Sequence, residues 1–148
     1  MIASIENWDE KVKRIAEEAP GWDIGSISGI PSWVELMLKE IIAYNNLNTI
    51  HDIWPNLSLF VHGGVSFDPS NVAFEKLLAK PVTYIETYLA SEGFIAYQDG
   101  QCAKGLMLVT NEHIFLEFVP FDEKNFDHEG NMVPKPEALM IHEVEEGK

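Results

Sequence analysis

The sequence predicts an α/β fold: N-terminal helices, a βαβ unit within a mixed sheet, then an antiparallel meander. Three observations predict it. Apolar residues recur at helical spacing across 8–19 and 31–44; two apolar, β-rich runs at 57–62 and 82–88 flank a helical stretch at 71–78; and runs at 94–97, 106–110 and 113–119 are separated by turn residues. A helix between two buried strands is the pattern of a parallel crossover. Short runs joined through Asp99-Gly100 and Asn111-Glu112 are the pattern of antiparallel neighbours.

Each element has a local reason. Asn7 stands as an N-cap with Glu10 at N3, and Trp8, Val12, Ile15, Ala16 and Ala19 form one apolar face until Pro20-Gly21 stops the helix. Gly21, Gly25 and Gly29 punctuate a loop around Ser26-Ile27-Ser28, and Pro31 opens the first turn of a second helix. There Val34, Met37, Leu38, Ile41 and Ile42, extended by Trp33 and Tyr44, make a wide apolar face, so the second helix is the more deeply buried. A helical turn follows over 50–54, Pro55-Asn56 breaks it, and Gly63-Gly64 ends the strand at 57–62. From Phe121 onward eight acids face three lysines, with Pro134 and Pro136 among them. Read as one segment, 1–80 holds the helices and first strand, 81–120 the sheet, and 121–148 an acidic, loop-rich tail.

The 148 residues, 46% of them hydrophobic, suffice for a core without disulfides. Apolar runs reach four or five residues, far short of the ~20 that span a bilayer, so no transmembrane helix is expected. The first residues lack the positive and apolar regions of a signal peptide, and Cys102 has no second cysteine to pair with, which together predict a reducing, cytoplasmic setting. Ten Lys plus Arg against 24 Asp plus Glu, a net charge of −14, disfavours nucleic acid as a partner. A small anionic ligand such as ATP stays open, because backbone N–H groups and Mg²⁺ hold phosphates where basic side chains are few, although Arg14 as the only arginine is too little for an arginine clamp around a polyphosphate.

Most motif candidates reduce to structure. His51, His62, His113, His128 and His142 never fall at the i, i+4 spacing of a helical metal pair, and one cysteine makes no zinc knuckle. The run from Asp122 to Gly130 places Lys124 and Phe126 where a calcium loop needs oxygen ligands, and reads as a solvated acidic loop. No Gly-Lys-Ser/Thr follows the early glycines and no serine sits in a nucleophile elbow; Cys102 beside Lys104 has no histidine partner in sequence. One segment stands out, Thr83-Tyr84-Ile85-Glu86-Thr87-Tyr88-Leu89-Ala90-Ser91-Glu92-Gly93. It is a buried strand that ends in hydroxyls, a carboxylate and glycine, at the edge where parallel sheets bind ligands.

Taken together, Trp54-Pro55-Asn56, Gly63-Gly64, Tyr88-Leu89-Ala90-Ser91-Glu92-Gly93, Phe115-Leu116-Glu117-Phe118-Val119-Pro120 and Val144-Glu145-Glu146-Gly147-Lys148 resemble the Gretchen Hagen 3 auxin-responsive family in order and approximate spacing. Gly29-Ile30-Pro31-Ser32-Trp33 fits the same pattern. That family comprises acyl acid amido synthetases of the adenylate-forming superfamily, which includes luciferase and acyl-CoA synthetases. The resemblance implies the large domain of such an enzyme, ATP and AMP with Mg²⁺ as its cofactors, and a carboxylic acid and an amino acid as its substrates. By that resemblance Tyr88 stacks on adenine, Ser91 contacts phosphate, and Glu92 is the catalytic carboxylate that holds Mg²⁺ through the nucleotide. Gly63 and Gly64 line the adenine side.

The chain departs from the pattern in two ways. Leu89 and Ala90 replace the commoner small residues of the plant members, and Ser26-Ile27-Ser28-Gly29 does not substitute for the Ser/Thr/Gly-rich phosphate loop. The resemblance therefore implies a middle fragment of a longer ligase, inactive alone. Two alternatives stay open: a non-catalytic interaction module that self-associates through exposed sheet edges, and an acyl-CoA ligase of the same superfamily.

Overall fold

A computed structural model describes residues 2–64, 72–100, 103, 105–111 and 113–145. Helix α1 (Trp8–Glu18) starts where Asn7 Oδ1 accepts the Glu10 N–H at 3.0 Å, which satisfies one of the donors that a helix start leaves free. Its Val12 and Ala16 are buried. The Pro20-Gly21 stop forms a 3-10 turn over Ala19–Gly21. Helix α2 (Pro31–Tyr44) has Pro31 in its first turn, where no N–H is needed, and buries Val34, Leu38 and Ile41. Asn45 caps it: Nδ2 donates to the Ile41 carbonyl at 3.0 Å and to the Ala16 carbonyl of α1 at 2.9 Å.

Three strands run parallel: β1 (Ser26–Gly29), β2 (Leu59–Gly63) and β3 (Thr83–Ala90). Strands β4 (Gly93–Tyr97) and β5 (Met107–Leu108) continue antiparallel from β3, giving a five-stranded mixed sheet in the order β1-β2-β3-β4-β5. The register places Gly29 opposite His62 and Gly63 opposite Thr87. Within the β2 to β3 crossover lies the short helix α3 (Val72–Glu75). Its Phe74 stacks on Phe60 of β2 with ring centroids 5.4 Å apart, and both are fully buried with Leu38, Ile41, Ile50, Trp54 and Leu57.

A buried histidine joins three segments of this core. His51 lies in a 3-10 turn (Ile50–Asp52); its Nδ1 accepts the Ala79 N–H at 3.0 Å, which leaves Nε2–H to donate to the Leu57 carbonyl at 2.9 Å. One neutral tautomer thus ties the turn to the approaches of β2 and β3. Trp54 adds a second clamp, its indole N–H donating to the Ala19 carbonyl at 3.0 Å.

Three sequence expectations change. Residues 26–29, read as loop, form β1, because the exposed backbone of β2 supplies a ladder that a Ser-Ile-Ser-Gly stretch does not announce. The helix read at 71–78 is confined to Val72–Glu75, and Leu77 and Leu78 close turns onto Phe74 and Glu75. The strand read at 113–119 does not form: β5 ends after two residues, and Phe118 meets Leu139 only in an isolated antiparallel bridge. A strand needs a partner ladder along its length, and alternating side chains cannot supply one. Residue 71, Cys102, Lys104, Glu112 and the motif residues Glu146, Gly147 and Lys148 lie outside the described residues.

The chain divides into two compact units, Met1–Val109 and Thr110–Lys148. The second has its own organising residue. Asn125 is buried; its Nδ2 donates to the Pro120 carbonyl at 3.1 Å and to Asp122 Oδ1 at 3.0 Å, and its Oδ1 accepts the Glu137 N–H at 2.6 Å. Among the described residues no helix is long and apolar enough to cross a membrane.

Replacing His51 by Ala strands the Ala79 N–H and the Leu57 carbonyl and opens a cavity, so it is expected to cost about 2–4 kcal/mol of unfolding free energy. Urea denaturation checks this. A loss below about 0.5 kcal/mol would mean that the two bonds carry no net stability.

Candidate functional site at the carboxyl edge of the parallel strands

In an open sheet with parallel strands, the crevice beyond the carboxyl ends is where ligands are bound, because loops diverge there and backbone groups are left without ladder partners. The first unit has such a crevice, a cleft of about 260 Å³. Ser28, Gly29 and Ile30 line it from the end of β1, Val61 to Gly64 from the end of β2, and Thr87 and Leu89 from β3. Ile30 is also the residue before α2, and the first turn of that helix holds no acidic side chain. The positive end of the α2 dipole therefore meets no competing carboxylate on its own helix at the cleft.

The two glycines are required for different reasons. A Cβ on Gly63 would sit 2.3 Å from the Thr87 carbonyl oxygen and 3.2 Å from Thr87 Oγ1, so only glycine allows β3 to pass this close to β2. Gly64 has open space around it but a φ of +81°, a backbone state that side-chain-bearing residues adopt only at a cost. His62, between Val61 and Gly63, is buried, and burial holds its imidazole below the ordinary value, with Glu86 opposite it in the sheet acting in the other sense.

Of the residues singled out by the sequence, Gly63 and Gly64 line the cleft. Tyr88, Ser91 and Glu92 lie beyond it on the projecting end of the β3–β4 hairpin. Tyr88 is 54% exposed, directly before a bulge in which Ile95 of β4 has no register partner in β3, and Ser91 and Glu92 form the two-residue turn. Strand alternation explains the separation, since Thr87 and Leu89 face the cleft and Tyr88 between them points to the other face. Sequence reasoning assigned no site role to Thr87, His62 or Leu89. The period of two was the available signal, once Gly63 is known to lie opposite Thr87.

Glu92 is exposed, and among the described residues no three His, Cys, Asp or Glu side chains form a metal cluster. A single exposed carboxylate fits Mg²⁺ of the kind that keeps most of its waters and is shared with a phosphate; it does not fit a site built wholly from protein. Of the remaining motif residues, Trp54 and Asn56 hold the fold. Trp54 is buried against Ala19, and Asn56 Nδ2 donates to Asp23 Oδ1 at 2.9 Å. Arg14, the one arginine, pairs with Glu18 at 2.8 Å on α1.

Comparison with protein-family models, with curated proteins and with solved structures gives no match to this chain.

The two glycines separate experimentally. Gly64→Ala is expected to cost about 1–2 kcal/mol, the penalty of a left-handed backbone, whereas Gly63→Ala also forces two backbones apart and costs more. Chemical denaturation of both variants measures the difference. Equal stabilities would contradict the close approach of β2 and β3.

Proposed function

We propose that the chain carries the adenine side of the nucleotide site of an ATP-dependent acyl acid amido synthetase, working in a cytoplasmic setting, and that alone it does not complete the reaction. One observation carries this reading. The Gly63-Gly64 turn and the carboxyl end of β3 converge on one cleft, and the Tyr88 to Glu92 segment projects from the same edge. The resemblance to the Gretchen Hagen 3 family supports it with the order of five motifs along the sequence.

In that reaction a carboxylate oxygen of the acid attacks the α-phosphorus of ATP, and the bond to pyrophosphate breaks. An amino acid nitrogen then attacks the acyl carbon, AMP leaves with the oxygen, and the amine gives up a proton. Gly64, with open space around it, leaves room for the base at the turn, and from the hairpin end beyond the cleft Tyr88 would offer a ring face, Ser91 a hydroxyl donor, and Glu92 a carboxylate for the metal that accompanies the nucleotide. Bound Mg²⁺ would neutralise phosphate charge. Neutralisation is the scarce element, since Arg14 is engaged on α1 and the chain carries −14. For that reason adenine contacts, and not a phosphate clamp, are assigned to this chain.

A second reading, an interaction module that self-associates, is favoured by large apolar side chains at the surface: Leu89 is 66% exposed, Phe115 72% and Phe121 81%. One set of measurements separates the two. Titrating isotope-labelled chain with AMP and Mg²⁺ to about 10 mM should give saturable amide shifts at Gly63, Gly64 and Tyr88 with a Kd in the millimolar range, abolished by Tyr88→Ala. Shifts absent at all three, with a mass by light scattering that rises with concentration, would contradict the ligase reading and favour the module.

A further inference from the structure

We infer that Thr87 is a positioning residue: its hydroxyl ties the end of β3 to the end of β2 and so sets where the Gly63-Gly64 turn lies in the cleft. For its ligand this rests on the nucleotide reading above; the tie itself rests on geometry. Thr87 Oγ1 donates to the His62 carbonyl at 3.1 Å, a side-chain bond added across the β2–β3 pair at the last ladder positions before the turn. The Thr87 carbonyl lies so close to Gly63 that no side chain fits there. One residue therefore bears on the turn twice, through its hydroxyl on the residue before Gly63 and through its carbonyl on Gly63.

The placement couples both halves of the candidate site. Thr87 lines the cleft with Gly63 and Gly64, and the next residue is Tyr88, whose ring direction follows from the orientation of the same stretch of β3. A threonine chosen only for strand propensity would need its β-branch and not its hydroxyl. Valine keeps the branch and the shape and removes the hydroxyl, and serine keeps the hydroxyl without the second branch. The pair thus separates positioning from packing.

The test compares wild type, Thr87→Val and Thr87→Ser in the full chain by amide hydrogen exchange at Gly63 and Gly64 and by titration with AMP and Mg²⁺. Thr87→Val should speed exchange at these amides and weaken AMP binding, each about threefold to tenfold, with the melting temperature within about 3 °C of wild type. Thr87→Ser should restore both. Unchanged exchange in Thr87→Val, or loss of binding that serine does not restore, would overturn the inference. If wild type shows no AMP shifts, the nucleotide reading fails by itself and the exchange rates alone decide whether Thr87 fixes the turn. Thr87→Ala, which also lacks the hydroxyl, carries the same exchange measurement if Thr87→Val does not fold.

Discussion

The close approach of Gly63 to the Thr87 carbonyl is the constraint on which the rest of the site depends. It requires β2 and β3 to be parallel and in one register, with β2 ending opposite Thr87 while β3 continues to Ala90. A slip of one residue would bring a side chain into that gap and turn Thr87 and Leu89 away from the cleft. The cleft follows from the register, and the exposed hairpin end follows from β3 outrunning β2.

The core holds that register from behind. Phe60 of β2 stacks on Phe74 of the crossover helix, while His51 bridges the segments that lead into β2 and β3. Both clamps act at the amino ends or middle of the strands, which leaves the carboxyl ends free of packing duties. The same division of labour appears in the charge pattern. Glu17 and Glu18 of α1 engage Arg14, and the first turn of α2, nearest the cleft, is free of acids. In the second unit, buried Asn125 organises an acidic segment through backbone contacts made by its amide.

Much of the fold was legible because its signals are local. Asn7 with Glu10, Pro31 at a helix start, and the run at 57–62 before Gly63-Gly64 each carry their own stereochemical reason; the two helix starts stand where they were read, and the strand forms shifted to Leu59–Gly63. What escaped depends on partners distant in sequence. Strand β1 has one apolar residue, Ile27, and is a strand only because β2 lies beside it. The stretch 113–119 has better alternation but no ladder to join, so it stays irregular apart from Phe118. The site divides in the same way. Gly63 and Gly64 were legible from type and position, whereas Thr87 and His62 matter through a cross-strand register that the period of two along β3 does not fix by itself.

The most direct test of the account is photolabelling of the chain with an azido-adenine nucleotide, followed by peptide mapping with and without excess AMP. The account predicts adducts that AMP competes away, confined to peptides containing Gly63-Gly64 or Tyr88. Adducts that AMP does not displace, or competed adducts mapping only to Thr110–Lys148, would contradict it.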